Sequence, residues 1–182
     1  YGPGRSGKTT NLHFIYGQVP EDRKGKMVSL ATQTDRTLFF DFLPLDLGTI
    51  SGFSTRFQLY TVPGQVYYPA TRKLVLQGAD GVVFVADSQA RQLQENIESF
   101  QDLHQNLSEQ GVDPRSIPLV IQYNKRDLPK DLILATDDLA DAVNFRGVPD
   151  YMADALHGPG VFETLRGISE IVLKRLSAGA AR

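Results

Sequence analysis

Two uninterrupted apolar runs organise the hydrophobic pattern of this chain. Gly81-Val-Val-Phe-Val-Ala-Asp87 and Ile117-Pro-Leu-Val-Ile-Gln-Tyr123 show no alternation, which predicts strands buried on both faces. Between them, Leu93, Ile97, Phe100, Leu103 and Leu107 fall at helical spacing, predicting one long amphipathic helix over Ser88 to Gln110, stopped by Gly111. Phe162, Leu165, Ile168, Val172 and Leu176 make a similar inward stripe on a final helix from Val161 to Leu176. Thr9 to Tyr16 reads as a helix with Leu12 and either Ile15 or Tyr16 inward, ended by Val19-Pro20. Weaker helices are expected at Tyr68 to Leu76 and within Asp131 to Phe145, and a last strand at Val148 to Ala155. Leu38 to Asp46 and Phe53 to Val62 read as two strands joined by the short Leu47-Gly-Thr-Ile-Ser-Gly52, hence an antiparallel hairpin. Pro44 lacks an N–H to give a central ladder, so the first of these strands is expected at an edge. Strands alternating with helices mean an α/β fold with a mostly parallel sheet. Ligands of such sheets sit at the carboxyl ends of the strands.

Composition narrows the classes. The 182 residues suit one domain with a substantial core, and 41% apolar with 22% charged residues is ordinary for a globular chain. A formal net charge of −2 gives no bulk electrostatic reason to bind nucleic acid or a membrane. With no cysteine, disulfides and thiolate metal sites are excluded, which fits a cytoplasmic protein. No apolar run is long enough to span a bilayer, and neither a signal peptide nor a lipid-anchor motif is read. His13, His104 and His157 show no metal-ligand spacing. The charged stretch Glu21-Asp-Arg-Lys-Gly-Lys26 reads as a solvated loop, the other reading being contact of its basic residues with an acidic partner.

The chemistry lies in the loops. Gly2-Pro-Gly-Arg-Ser-Gly-Lys-Thr-Thr10 contains the G-x4-G-K-T pattern of a phosphate-binding P-loop. Glycines let the loop of Gly2, Pro3, Gly4, Arg5, Ser6 and Gly7, with the first helical residues, turn the backbone N–H groups it has around phosphate oxygens. The helix behind offers its positive end to the same anion. Lys8 supplies a mobile charge for the outer phosphates, and the Thr9 hydroxyl a Mg²⁺ ligand. By chance such a match occurs in roughly one chain per hundred of this composition, so supporting motifs must decide. Asn124-Lys-Arg-Asp127 directly follows the second apolar run. Its Asp127 carboxylate can accept from guanine N1–H and the 2-amino group, donors that adenine does not offer in that place. The Lys125 stem packs along the base, and Asn124 ties this loop to the P-loop. Val62-Pro-Gly-Gln65 closes the hairpin. There Gly64 can give an N–H to a γ-phosphate and Gln65 can orient an attacking water. Only Tyr1 precedes Gly2, whereas a P-loop follows a strand. The expectation is one G domain over residues 1–182 whose first strand is missing from this chain.

On these motifs, with Asp35-Arg-Thr-Leu-Phe-Phe-Asp-Phe-Leu-Pro44, Tyr60-Thr-Val-Pro-Gly-Gln65 and Gly160-Val-Phe-Glu-Thr164, the chain resembles the Ras-like small GTPases. More closely, it resembles the bacterial MglA group, the gliding-motility and cell-polarity GTPases. The resemblance implies a GTP/GDP switch, slow alone and accelerated by a homodimeric roadblock-fold (MglB-like) partner. It further implies a monomer with Mg²⁺ as cofactor, downstream polarity or motility effectors, and recruitment to cell poles or membrane-associated complexes. It makes Thr37 the switch I threonine that senses Mg²⁺ and the γ-phosphate, and Arg36 an intrinsic catalytic arginine beside Gln65. Strand 2 is thought to slide during switching in that group. Thr61 stands where Ras-like proteins generally have the Asp that holds Mg²⁺ through a water, and Asp41 is the candidate substitute. The other expectation for Asp41 is that it faces water from an edge strand. Asp154-Ala155-Leu156 aligns with the third guanine loop, where the Ala155 N–H would meet guanine O6. Tyr67 and Tyr68 are either partner anchors or packing under the switch. Two rival functions remain at this point, a GTP-dependent binding module without hydrolysis and an ATP-using small-molecule kinase.

Overall fold

The computed structural model describes residues 1–30, 40–50, 53–64 and 69–180. Arg36, Thr37, Gln65, Tyr67 and Tyr68 lie outside the described residues. The elements in order are α1 (Lys8–Gln18), β1 (Val28–Leu30), β2 (Phe40–Ile50), β3 (Phe53–Tyr60), α2 (Pro69–Leu76), β4 (Val82–Asp87), α3 (Leu93–Glu109), β5 (Leu119–Asn124), α4 (Thr136–Val143), β6 (Asp150–Met152) and α5 (Val161–Ala180).

The two apolar runs become β4 and β5, paired in parallel with Val82 opposite Leu119 and Asp87 opposite Asn124. β6 adds a third parallel strand. Every residue of β5 is buried, as expected for a central strand with helices on both faces. On one face Phe84, Phe100, Leu103, Leu107, Ile121 and Leu139 form the main core. Phe84 meets Phe100 edge-on at 4.9 Å between ring centroids. On the other face α5 places Ile168 and Val172 against Val120.

The antiparallel part has three strands in the order β1-β2-β3, one more than the expected hairpin. This corrects the placement of Pro44. β2 lies between β1 and β3, so it is not an edge strand. The proline is tolerated because β1 is short. Its register with β2 runs only from Leu30–Phe40 to Val28–Phe42, stopping before the residue that has no N–H to give. The Pro44 carbonyl still accepts from Gly25 N at 2.9 Å. Among the described residues the two sheets are not paired with each other. A cleft of about 660 Å³ runs between them, lined among others by Phe57 and Leu59 of β3 and Val83 and Val85 of β4. The backbone of Tyr1 enters it, its carbonyl accepting from Val85 N at 2.8 Å.

Two helix expectations shift. The long helix starts at Leu93, after a single 3-10 turn at Ala90–Gln92. Asp87 keeps the preceding residues out of the helix, because its carboxylate accepts from the Gln89 N–H at 3.1 Å, a local bond that competes with helical pairing. In α5 the inner face belongs to Val161, Thr164, Ile168 and Val172, all buried, while Phe162 and Leu176 are exposed. Phe162 sits at the side of the stripe, edge-on to Phe14. α1 buries Leu12 and Ile15, of the two choices for its second inward residue. Among the described residues no helix is long and apolar enough to cross a membrane.

These burials give a direct contrast. Phe84→Ala should cost about 3–5 kcal/mol, and Leu176→Ala less than about 1 kcal/mol, in urea unfolding. Equal costs would contradict the assigned inner face of α5.

Candidate guanine-nucleotide site

The loops at the carboxyl ends of β4 and β5 meet the start of α1. Residues 2–7 curl tightly, with Gly2, Arg5 and Gly7 all at positive φ. Helix α1 opens on Gly7 with no side-chain cap, and its first helical bond runs from Asn11 N to Gly7 O at 2.9 Å. The N–H groups of its first turn are therefore left for a ligand. They face a cavity of about 560 Å³ walled by Arg5 to Thr10, Ser29, Phe40, Asp41 and Thr61 to Gly64. An uncapped helix start in a glycine-rich curl fits phosphate oxygens. Lys8 is buried, and its Nζ donates to the carbonyls of Gly2 at 2.8 Å and Pro3 at 2.6 Å. Burial, and then the positive charge of Arg72, push this ammonium down to about 7. A polyanion in the cavity would favour the charged ammonium against both influences.

Asn124 joins three loops. Its Nδ2 donates to Ser6 O at 2.8 Å in the P-loop, and its Oδ1 accepts from Ala155 N at 2.9 Å. Gly7 makes the crossing possible, since a Cβ there would lie 2.1 Å from Asn124 Nδ2. The next residue, Lys125, holds a left-handed φ of 68°, a conformation that costs energy outside glycine and clusters at functional positions. Its Nζ donates to Asp87 Oδ2 at 2.6 Å. Asp87 is itself buried, and the Asn96 side chain pairs with both its N–H and its carbonyl. Asp127 is exposed, beside Asp154 and His157, with their ligand atoms within 4.8 Å of one another. Asp154 shapes the third loop, where its Oδ1 accepts from Leu156 N and His157 N. A guanine O6 would share the Ala155 N–H with Asn124, because that bond is already made.

The cavity's other wall gathers hydroxyls on one carboxylate. Asp41 Oδ2 accepts from Thr9 Oγ1 at 2.7 Å and Thr61 Oγ1 at 2.9 Å, and Asp41 Oδ1 accepts from Ser29 Oγ at 2.7 Å. Asp41 is only 9% exposed, so it does not face water. Among the described residues the groups gathered here are all oxygens, one of them a carboxylate, which suits a hard divalent cation such as Mg²⁺.

The structure thus brings together Gly2 to Thr10, Asp41, Gly64, Asn124, Lys125, Asp127 and Ala155. Arg36, Thr37 and Gln65 lie outside the described residues. Sequence reasoning missed Asp87, Ser29 and Arg72. Asp87 carried a signal, a charged residue ending a buried strand. Ser29 and Arg72 carried none.

Comparison with known proteins agrees with this geometry. The chain is 57% identical to the mutual gliding-motility protein MglA of Myxococcus xanthus over 179 residues, covering 98% of this chain and 91% of that protein. The chain belongs to the MglA family of Ras-like small GTPases. It is also 28% identical to ADP-ribosylation factor-like protein 6 of Caenorhabditis briggsae across 96% of this chain and 85% of that protein. Identity to human ADP-ribosylation factor-like protein 4C is 30%, covering 73% and 68% of the two chains. No protein-family model matches it. Membership in the MglA family gives the chain a P-loop GTPase fold, guanine-nucleotide binding and GTP hydrolysis.

The three-loop tie has a measurable cost. Asn124→Ala leaves the buried Ser6 carbonyl and Ala155 N–H without their partner and should lower unfolding free energy by about 2–4 kcal/mol. A loss below about 0.5 kcal/mol in urea titration would mean that other groups hold the loops together.

Proposed function

We propose that this chain is a Mg²⁺-dependent GTP/GDP switch of the MglA type, acting in bacterial cell polarity or gliding motility through partners that recognise its GTP state. The observation that carries the reading is the Asp41 carboxylate bonded to Thr9 in the cavity beside the P-loop. It puts a negative group beside the P-loop hydroxyl where Thr61 has replaced the usual aspartate.

In this reading the backbone of Gly2 to Thr10 holds the phosphates, with Lys8 turning from the Gly2 and Pro3 carbonyls to the outer phosphate oxygens. Thr9, Thr37 and Asp41 are the residues that would hold the metal, Asp41 by way of a water. A bound Mg²⁺ would neutralise charge on the β- and γ-phosphate oxygens. Asp127 reads the guanine edge, Lys125 lies along the base in the position Asp87 fixes, and Ala155 lends its N–H. Gly64 donates its N–H to the γ-phosphate and Gln65 orients the attacking water. Arg36 neutralises charge on the phosphoryl group in transfer, a role its planar fork suits. Because the arginine is supplied in cis, a roadblock-type homodimer accelerates hydrolysis by positioning the switch segments. The site of action is the cytoplasm, at poles or membrane-associated complexes where effectors collect.

Arg36→Ala should leave GTP binding within about twofold and cut partner-stimulated single-turnover hydrolysis by about tenfold or more. Phosphate release at the unaltered rate would remove Arg36 from the reaction.

A further inference from the structure

We propose that Arg72 is a positioning residue for γ-phosphate recognition. Its guanidinium fixes the Pro63–Gly64 backbone so that the Gly64 N–H faces the phosphate cavity. The proposal rests on the reading of Gly64 as the γ-phosphate donor.

Arg72 lies on α2, only 1% exposed, among the largest fully buried side chains. Its three donor groups are all engaged. Nε donates to Pro63 O at 2.8 Å, Nη2 to Gly64 O at 2.8 Å, and Nη1 to Asp102 Oδ2 of α3 at 2.6 Å. The guanidinium also lies over the Tyr1 ring, 5.4 Å from its centroid. Successive carbonyls of an extended strand point to opposite sides, so one guanidinium can take both only where the chain bends. β3 ends at Tyr60, and this clamp sets the bend that follows.

The direction of the clamp matters. In a trans peptide the C=O and the next N–H point opposite ways. Pro63 and Gly64 line the phosphate cavity, and Arg72 does not. Holding the Pro63 carbonyl from outside the cavity therefore turns the Gly64 N–H inward. Gly64 itself rests on the P-loop, where a Cβ would lie 2.5 Å from Gly4 N and Gly4 Cα. Any rotation of this peptide changes what the P-loop side sees.

Stability alone does not account for the residue. A buried ion pair contributes little compared with apolar groups of similar volume. A fork that holds two adjacent carbonyls and is itself held by a second helix contributes geometry. The chemistry it serves is discrimination of a nucleoside triphosphate from a diphosphate, since only the former presents a γ-phosphate to the Gly64 N–H.

The test compares dissociation constants for GDP and a non-hydrolysable GTP analogue, with Mg²⁺ present, on the full chain. Arg72→Lys keeps the charge but cannot fork across two carbonyls. It should weaken analogue binding about tenfold relative to GDP, the worth of one hydrogen bond to a charged group. Asp102→Asn, which leaves the fork but loosens its anchor, should shift the ratio the same way by a smaller factor. Thermal melting identifies any general loss of fold. If Arg72→Lys lowers both affinities equally, or lowers only the melting temperature, Arg72 is merely structural and the proposal is overturned. Gly64→Ala separates the two readings. A changed ratio in Gly64→Ala with an unchanged ratio in Arg72→Lys defeats the role of Arg72 alone. An unchanged ratio in both defeats the γ-phosphate reading of Gly64 and the clamp with it.

Discussion

A carboxylate with 9% exposure has to be compensated, and among the described residues Asp41 is compensated by hydroxyls. Thr9, Thr61 and Ser29 each donate to it, and the Asp41 N–H donates back to Thr61 Oγ1 at 2.7 Å. Neutral donors satisfy its lone pairs without cancelling its charge, so a full negative charge stays buried beside the P-loop. That arrangement joins α1, β1, β2 and the end of β3 at one point. It also sets Thr61 and Asp41 side by side at the phosphate-binding loop. The threonine hydroxyl bonds to the aspartate that takes over the charge from the neighbouring strand.

A second polar device fixes the opposite half of the site. Asn124 is buried, and one amide satisfies the P-loop carbonyl of Ser6 and the third-loop N–H of Ala155. Behind it, Asn11 and Gln122 exchange two side-chain hydrogen bonds, tying α1 to the middle of β5. Asp87 and Lys125 bridge the ends of β4 and β5. The Asn124 side of the site thus rests on the parallel sheet and the Asp41 side on the antiparallel one, with the P-loop in contact with both.

What the sequence made legible was local chemistry. Gly2 to Thr10 and Asn124 to Asp127 could be read because backbone conformation and side-chain function lie within a few consecutive residues. The uninterrupted apolar runs of β4 and β5 and the long periodic stripe of α3 were also legible. Tertiary pairing was not. Val28–Leu30 is too short to show a period, so the sequence hides the strand beside β2, and Pro44 points to an edge that the pairing does not leave. Phe162 and Leu176 fit a helical stripe as well as Val161 and Thr164 do, and only packing against the sheet separates the two faces. Ser29 bonds to a carboxylate 12 residues away, and Arg72 to carbonyls 9 and 8 residues back and a carboxylate 30 residues on; nothing in their sequence neighbourhood announces these contacts. Asp41 stood between two readings until burial decided that it does not face water.

The most direct measurement of the account is the GDP dissociation rate with Mg²⁺ in excess and after chelation. In the wild-type chain, removing Mg²⁺ should speed release by about tenfold or more. Asp41→Asn should release GDP quickly in either condition, because loss of a residue that supports a metal typically costs 10- to 100-fold in affinity, about what chelation itself removes. An Asp41→Asn variant that holds GDP as the wild type does, and responds to chelation as fully, would show that the buried carboxylate has no part in binding the metal.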